Sequence, residues 1–341
     1  MKADPSALLA EVVDGGALNA ESAARLFDAI MAGQIHEPAL AALLTAMAVR
    51  GPTVEEIAGA ATAMRAAMTT IAAPDGAVDL CGTGGDGQGT LNISTAVSFV
   101  VAACGVPVAK HGNRNMSSKT GAADVLEALG VKIDLSPAAA EACLQEAGLC
   151  FLFAQTYHPA MKHVAPVRKA LGIRTIFNLL GPLSNPARVR RQLIGVYARD
   201  LVEPLAQVLG ALGAEKAWVV HGNDGLDEIT TTDITHVAIL DAGNVTTRVI
   251  EPEDAGLARA TLASLKGGSA GVNAAAVRRL FDGKQGPYRD IVLLNAAAAL
   301  IVAGKADDLR AGADLAAKAV DGGGAKRALE SLVAVSNRSV P

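Results

Sequence analysis

Two stretches of this chain read as the halves of one anion-binding device. The first runs from Asp79 to Thr95 and carries Gly82, Gly84, Gly85, Gly87 and Gly89 within eight residues. Glycines let a backbone turn freely and approach a ligand closely. The second is Lys110-His-Gly-Asn-Arg-Asn-Met-Ser-Ser118, followed by Lys119. No acidic residue lies between Asp86 and Asp124, where the full charges are Lys110, Arg114 and Lys119. Free N–H donors at a helix start, with cations and no carboxylates, are what a polyphosphate requires.

Such loops must be held by a scaffold. From Val78 short apolar runs alternate with helical patterns. Strands are expected at 77–81, 106–110, 149–153, 191–197 and 216–221, with helices near 94–104, 120–129, 137–147 and 201–212. That alternation implies a mainly parallel sheet covered on both faces. Both anion loops would then leave carboxyl ends of strands, where such folds bind ligands. Residues 235–250 read as a hairpin turning at Gly243-Asn244. The tail reads as helical from about 287. Residues 5–70 read as helices only, with Thr53-Val-Glu-Glu56 as a capping box. The expected division is a helical domain at 1–72, joined by a segment near 172–190, and an α/β domain at 77–341. The link Ala72–Gly76, with Pro74, is a candidate hinge.

Gly82-Thr-Gly-Gly-Asp-Gly87 also fits the dinucleotide fingerprint GxGxxG. That fingerprint needs an acidic residue about twenty positions on, and none is there. The next helix also starts too late, near Asn92. A phosphate P-loop is excluded too, because no Gly-Lys is followed by Ser or Thr. Five glycines in eight residues are entropically expensive for a turn with no ligand.

Other residues admit two readings. Ser94 and Thr95 are either helix caps or ligands for phosphate oxygen or magnesium. Asp227-Glu228 follows a strand and is either a polar loop or a magnesium site, each carboxylate holding an ion or both sharing one and its waters. Arg168, on a helix restarted by Pro166, is either a surface charge or a fork for a substrate carboxylate. Gly181-Pro182 would make a rigid apolar turn able to wall a planar ligand. His111, His158 and His163 lack metal-ligand spacing.

The whole-chain properties narrow the class. Apolar residues make up 51% and charged residues 19%, so the chain is globular. A net charge of −4 and few aromatics (six Phe, three Tyr, one Trp) argue against nucleic acid as a partner. Cys81, Cys104, Cys143 and Cys150 form no CxxC pair and read as thiols. No signal-peptide core opens the chain, and its apolar runs fall short of the ~20 residues of a membrane span. A cytoplasmic protein with no membrane partner is expected.

Together, the glycine loop, Asn92-Ile-Ser-Thr95, Lys110–Ser118, Arg168 to Pro182 and Asp227-Glu228 resemble the anthranilate phosphoribosyltransferase family in order and spacing. The resemblance implies a small all-helical N-terminal domain plus a larger α/β domain with a mainly parallel sheet, of nucleoside phosphorylase/phosphoribosyltransferase type. It also implies a homodimer using Mg2+ and phosphoribosyl pyrophosphate. The family's pattern places that substrate on Gly82, Gly85, Asp86, Thr90, Asn92, Ile93, Ser94, Thr95, Lys110, His111, Gly112, Asn113, Arg114, Asn115, Met116, Ser117, Ser118 and Ala122. It places anthranilate on Gly82, Asn113 and Arg168, and the metal on Ser94, Asp227 and Glu228. No dedicated acid or base is implied. Asn115-Met116 departs from the expected small and then variable residues. Pyrimidine nucleoside phosphorylases share the architecture, but the Gly82–Asp86 and Asp227-Glu228 pattern does not favour them.

Overall fold

Side-chain caps start several of the opening helices. Asp4 accepts from the Ser6 amide ahead of α1 (Pro5–Val13), and Asn19 caps α2 (Ala20–Met31). Pro38 stands in the first turn of α3 (Glu37–Arg50). The expected Thr53–Glu56 capping box opens α4 (Val54–Ala66). The computed structural model describes residues 4–114 and 120–338.

The α/β part then begins with β1 (Val78–Gly82), α5 (Ile93–Ala103), β2 (Val108–Gly112), α6 (Ala122–Leu129), α7 (Pro137–Ala147) and β3 (Leu149–Phe153). Three short helices interrupt it: α8 (Ala154–Tyr157), α9 (Ala165–Leu171) and α10 (Phe177–Leu183). The sheet resumes with β4 (Arg191–Gly195), α11 (Val202–Ala211), β5 (Lys216–Gly222), β6 (Thr235–Asp241) and β7 (Asn244–Ile250). Four helices follow: α12 (Ala270–Phe281), α13 (Pro287–Val302), α14 (Leu309–Asp321) and α15 (Gly324–Ser336).

Among the described residues, seven strands lie in the order β3-β2-β1-β4-β5-β6-β7. The first five run parallel, and β6 and β7 form the antiparallel hairpin, turning at Ala242 and Gly243 with positive φ. β3 is buried along its whole length, as a strand covered on both faces must be.

Two apolar cores flank the sheet. One packs α5, α13 and α15 against one face, with Phe99, Phe151 and Trp218 among its buried side chains. The other joins α1–α4 to α9–α11 and the opposite face, through Phe27, Leu44, Phe177, Leu205 and Val219. Returning to the bundle after β3, α9 packs on α3 and α10 on α4. Arg65 of α4 stitches this layer, donating to the carbonyls of Leu183 and Leu212.

Three expectations need correction. Gly181 and Pro182 lie inside the last turns of α10 rather than in a turn of their own. The 120–129 helix begins at Ala122, with Gly121 as its cap. Helix α12 precedes the expected helical tail; its first turn, Ala270-Gly-Val-Asn273, is of mostly weak helix formers.

Candidate active site

β1 lies between β2 and β4, so the chain leaves the centre of the sheet in both directions. Such a reversal opens a crevice at the carboxyl ends of the strands. The loops after β1, β4 and β5 meet there, beside the end of β2.

The glycine loop spans Thr83 to Leu91. Gly84, Gly85, Gly87 and Gly89 all take positive φ, a region where side chains are strained. Partners from elsewhere in the chain hold the loop. Gly84 N–H donates to Asp227 Oδ2 at 2.8 Å, and Gln88 Nε2 to the Asp224 carbonyl at 3.1 Å. Leu91 N–H donates to the Leu265 carbonyl and Gly267 N–H to that of Gly89, both at 2.9 Å. Thr90 forms an isolated bridge with Lys266, whose amine donates to the Gln88 carbonyl.

Gly82 and Gly195 are register partners on β1 and β4. A Cβ on Gly82 would stand 2.5 Å from Asp227 Oδ2, and one on Gly195 1.5 Å from the Asp227 carbonyl oxygen. Their bare backbones form the notch that seats Asp227.

Asn92 is the N-cap of α5, so Ser94 is not the cap. Ser94 N–H donates to Glu228 Oε1 at 3.2 Å, and its hydroxyl accepts from Lys110 Nζ at 3.3 Å. Lys110 also donates to the Leu80 carbonyl. Buried Thr95 Oγ1 has no hydrogen-bond partner among the described residues. Ile93 is buried in the core. Asn295 of α13 brackets Ile229, accepting its N–H and donating to its carbonyl, which fixes the backbone behind Asp227-Glu228.

Both carboxyls of that pair are half-buried at the cleft and titrate above the ordinary carboxylate range. Burial is the main cause. Asp86 adds to it at Asp227 and Asp227 adds to it at Glu228, while Lys110 offsets part at Glu228. Crowded acids with one nearby lysine are a poor structural motif but a good seat for a hard divalent cation. Two carboxylates and the Ser94 hydroxyl are oxygen donors of the right kind. Among the described residues no cluster of three or more His, Cys, Asp or Glu encloses a metal. A cation here would therefore need oxygens from a ligand to complete its shell.

The other side of the cleft is built differently. His111 Nδ1 meets the Gly181 carbonyl at 2.9 Å, and its Nε2 stands 3.2 Å from Nε2 of His158. Burial holds His111 down to about 3 and His158 to about 4, so both rings are neutral. The His111 amide donates to buried Asp79 at 3.0 Å. Arg168, on α9, lies over the Phe177 ring at 5.7 Å. Burial lowers its pKa, and no carboxylate pairs with it among the described residues. An unpaired, half-buried guanidinium is suited to a carboxylate ligand.

Of the second loop, Lys110, His111 and Gly112 close β2 at the cleft. Asn113 Oδ1 accepts from the Arg114 amide at 2.8 Å. Arg114 does not offer a free fork. Its guanidinium is held by Asp124 at 2.8 Å and Glu127 at 2.5 Å. Ala122 opens α6 beside Gly112. Asn115, Met116, Ser117, Ser118 and Lys119 lie outside the described residues. Lys266, Gly267, Asn273 and Asn295 were not anticipated as site residues. The glycine pair Gly267-Gly268 was the one local signal available.

The helical bundle set against a mainly parallel sheet, with a cleft at the strand ends, matches the two-domain design of a glycosyl transferase family. The glycosyl transferase family's helical bundle domain matches residues 6–68, and its a/b domain residues 74–326. An anthranilate phosphoribosyltransferase of Rhodopseudomonas palustris (strain HaA2) is 59% identical over 98% of both chains. One from Azospirillum brasilense is 58% identical over 99% of this chain and 94% of its own. The chain belongs to the anthranilate phosphoribosyltransferase family. Among solved structures, that of the Thermus thermophilus enzyme matches with a TM-score of 0.92 at 42% identity, covering 97% of this chain and 99% of its own. The Saccharomyces cerevisiae enzyme in complex with PRPP and Mg matches at 0.88 and 26% identity, covering 97% of both.

Proposed function

We infer that this chain transfers the phosphoribosyl group of 5-phosphoribosyl 1-pyrophosphate to the amine of anthranilate. The products are N-(5-phosphoribosyl)anthranilate and pyrophosphate, and the step is the second in tryptophan synthesis from chorismate. The observation that carries the reading is a pair of unmet charges of opposite sign in a chain of this family. Asp227-Glu228 await a cation and Arg168 awaits an anion.

In this reading the sugar diphosphate lies along Gly82, Gly85, Asp86, Thr90 and Asn92–Thr95, with Lys110–Asn113 and Ala122 opposite. Arg114 can join only by leaving Asp124 and Glu127. Ser94, Asp227 and Glu228 would hold Mg2+, which when bound neutralises charge developing on the departing pyrophosphate. The α5 amides and Lys110, which stands beside Ser94, add positive charge at the same end of the cleft. Arg168 and Asn113, with Gly82, hold anthranilate so that its amine faces the ribose C1. That aryl amine is unprotonated near neutral pH, so no general base is required. The neutral His111–His158 pair adds no charge that would compete with Arg168 for the carboxylate.

The division into a helical unit (1–72 with the segment near 172–190) and an α/β unit (77–341) is supported by the packing of α9 and α10 on the first four helices. A cytoplasmic homodimer is part of the same reading. No helix among the described residues is long and apolar enough to cross a membrane.

The test is loss of anthranilate fluorescence with phosphoribosyl pyrophosphate and Mg2+. Well-folded protein that leaves anthranilate unconsumed would sink the assignment.

A further inference from the structure

Asn92 is an N-cap residue that does not cap. An asparagine there usually turns its oxygen onto the amides of its own helix, but no such bond forms. Glu228 takes the Ser94 amide instead. The Asn92 side chain is held from 181 residues away, by Asn273 of α12. Asn273 is 1% exposed, and its two amide atoms are both used. Its Oδ1 accepts from the Gly268 amide at 2.7 Å, and its Nδ2 donates to Asn92 Oδ1 at 2.8 Å.

This chain of bonds has one direction. A backbone N–H can only donate, so the Asn273 oxygen must face Gly268. Its amino group must then face Asn92, which must answer with its own oxygen. Asn92 Nδ2 is thereby turned away from α12, and nothing among the described residues accepts from it. The Asn92 carbonyl is fixed as well, by the Tyr288 hydroxyl at 3.0 Å. The Gly268 carbonyl meanwhile accepts from Thr120 Oγ1 at 2.7 Å, where the second loop ends.

We propose that Asn273 is a positioning residue for the diphosphate, orienting Asn92 so that its amino group, not its oxygen, faces the substrate. The inference rests on the phosphoribosyl pyrophosphate reading of the cleft. A flipped Asn92 would present a lone pair to a phosphate oxygen and repel it. Asn273 touches no substrate. It acts through Asn92 and ties the ends of both anion loops to one short segment, 265–273.

A double-mutant cycle tests this. Asn273→Ala is expected to raise the KM for phosphoribosyl pyrophosphate about tenfold, the order of one hydrogen bond to a charged group. The KM for anthranilate should stay within about twofold of the unaltered protein's. Calorimetric titration with phosphoribosyl pyrophosphate and Mg2+ should show the same weakening without turnover. Asn92→Ala should behave alike, and the double variant should be no worse than Asn92→Ala alone. Effects that multiply in the double variant, or an unchanged KM in Asn273→Ala, would overturn the proposal. An unchanged KM in Asn92→Ala with a raised one in Asn273→Ala would overturn the assignment of Asn92 itself, and the proposal with it. If Asn273→Ala fails to fold, Asn273→Asp carries the cycle, since it keeps an acceptor for Gly268 and removes the donor to Asn92.

Discussion

The helical bundle and the cleft both draw glutamates out of water, and they treat them in opposite ways. Glu56 in α4 is fully buried and fully met. It takes Arg50 with both oxygens at 2.5 and 2.6 Å and accepts from the amides of Leu18 and Thr53. Glu228 at the cleft accepts one amide at 3.2 Å and stands beside another acid. The first arrangement is finished and serves stability. The second is left short of positive charge, and protonation is its recourse in the free protein. A charge satisfied within the chain is structure, and one left unmet marks where a ligand completes the balance.

The sharpest way to break that contrast is to neutralise each site. Asp227→Asn with Glu228→Gln should cut kcat about 10²–10³-fold, with a melting temperature unchanged or raised because two buried ionisable groups are replaced by neutral amides. Activity that survives, or a large loss of stability, would make this pair structural like Glu56. Glu56→Ala should do the reverse. Loss of one partner of a buried pair costs about 3–5 kcal/mol, read by denaturant unfolding, while the folded fraction keeps its KM values. Arg168→Ala should raise the KM for anthranilate about 10–100-fold and leave that for the sugar diphosphate alone. Equal effects on both substrates would remove it from the acceptor side.

Acid should reveal the neutral histidines. His111 and His158 titrate near 3 and 4 in the folded chain, against an ordinary value of 6.5. The unfolded chain therefore binds more protons between those values. Stability is complete above about pH 6.5 and falls as pH drops, by on the order of 2 kcal/mol per histidine at pH 5. Thermal melts across pH 4–8 should show this slope, and His158→Gln should flatten it. The smallest effect is expected at Thr95. Its buried hydroxyl has no partner, so Thr95→Val should leave the melting point unchanged or higher. It should raise the KM for the sugar diphosphate a few-fold if that hydroxyl meets phosphate.

Much of this architecture was legible locally. The Leu149–Phe153 strand is a continuous apolar run, the Gly243 hairpin has its turn residues, and Thr53 and Glu56 spell out their capping box. The glycine loop and Asp227-Glu228 were visible because the chemistry needs several unusual residues in a row. What was not legible depends on distance along the chain. Asn273 finds Asn92 181 positions away, and no period or composition links them. Arg114 read as a free cation because its partners, Asp124 and Glu127, lie beyond the intervening loop. Helix α12 was passed over because its weak first turn, Ala270-Gly-Val-Asn273, hides its start, and it is burial of Asn273 that holds that turn.

The notch of Gly82 and Gly195 has a consequence for how this sequence can drift. The loop glycines at 84, 85, 87 and 89 have open space around an imagined Cβ, so a substitution there meets only backbone strain. At 82 and 195 even a methyl group would collide with Asp227. A library of single substitutions should therefore recover some variants in the loop and almost none at the notch. Those two positions would stay frozen while the surrounding strands exchange one apolar residue for another.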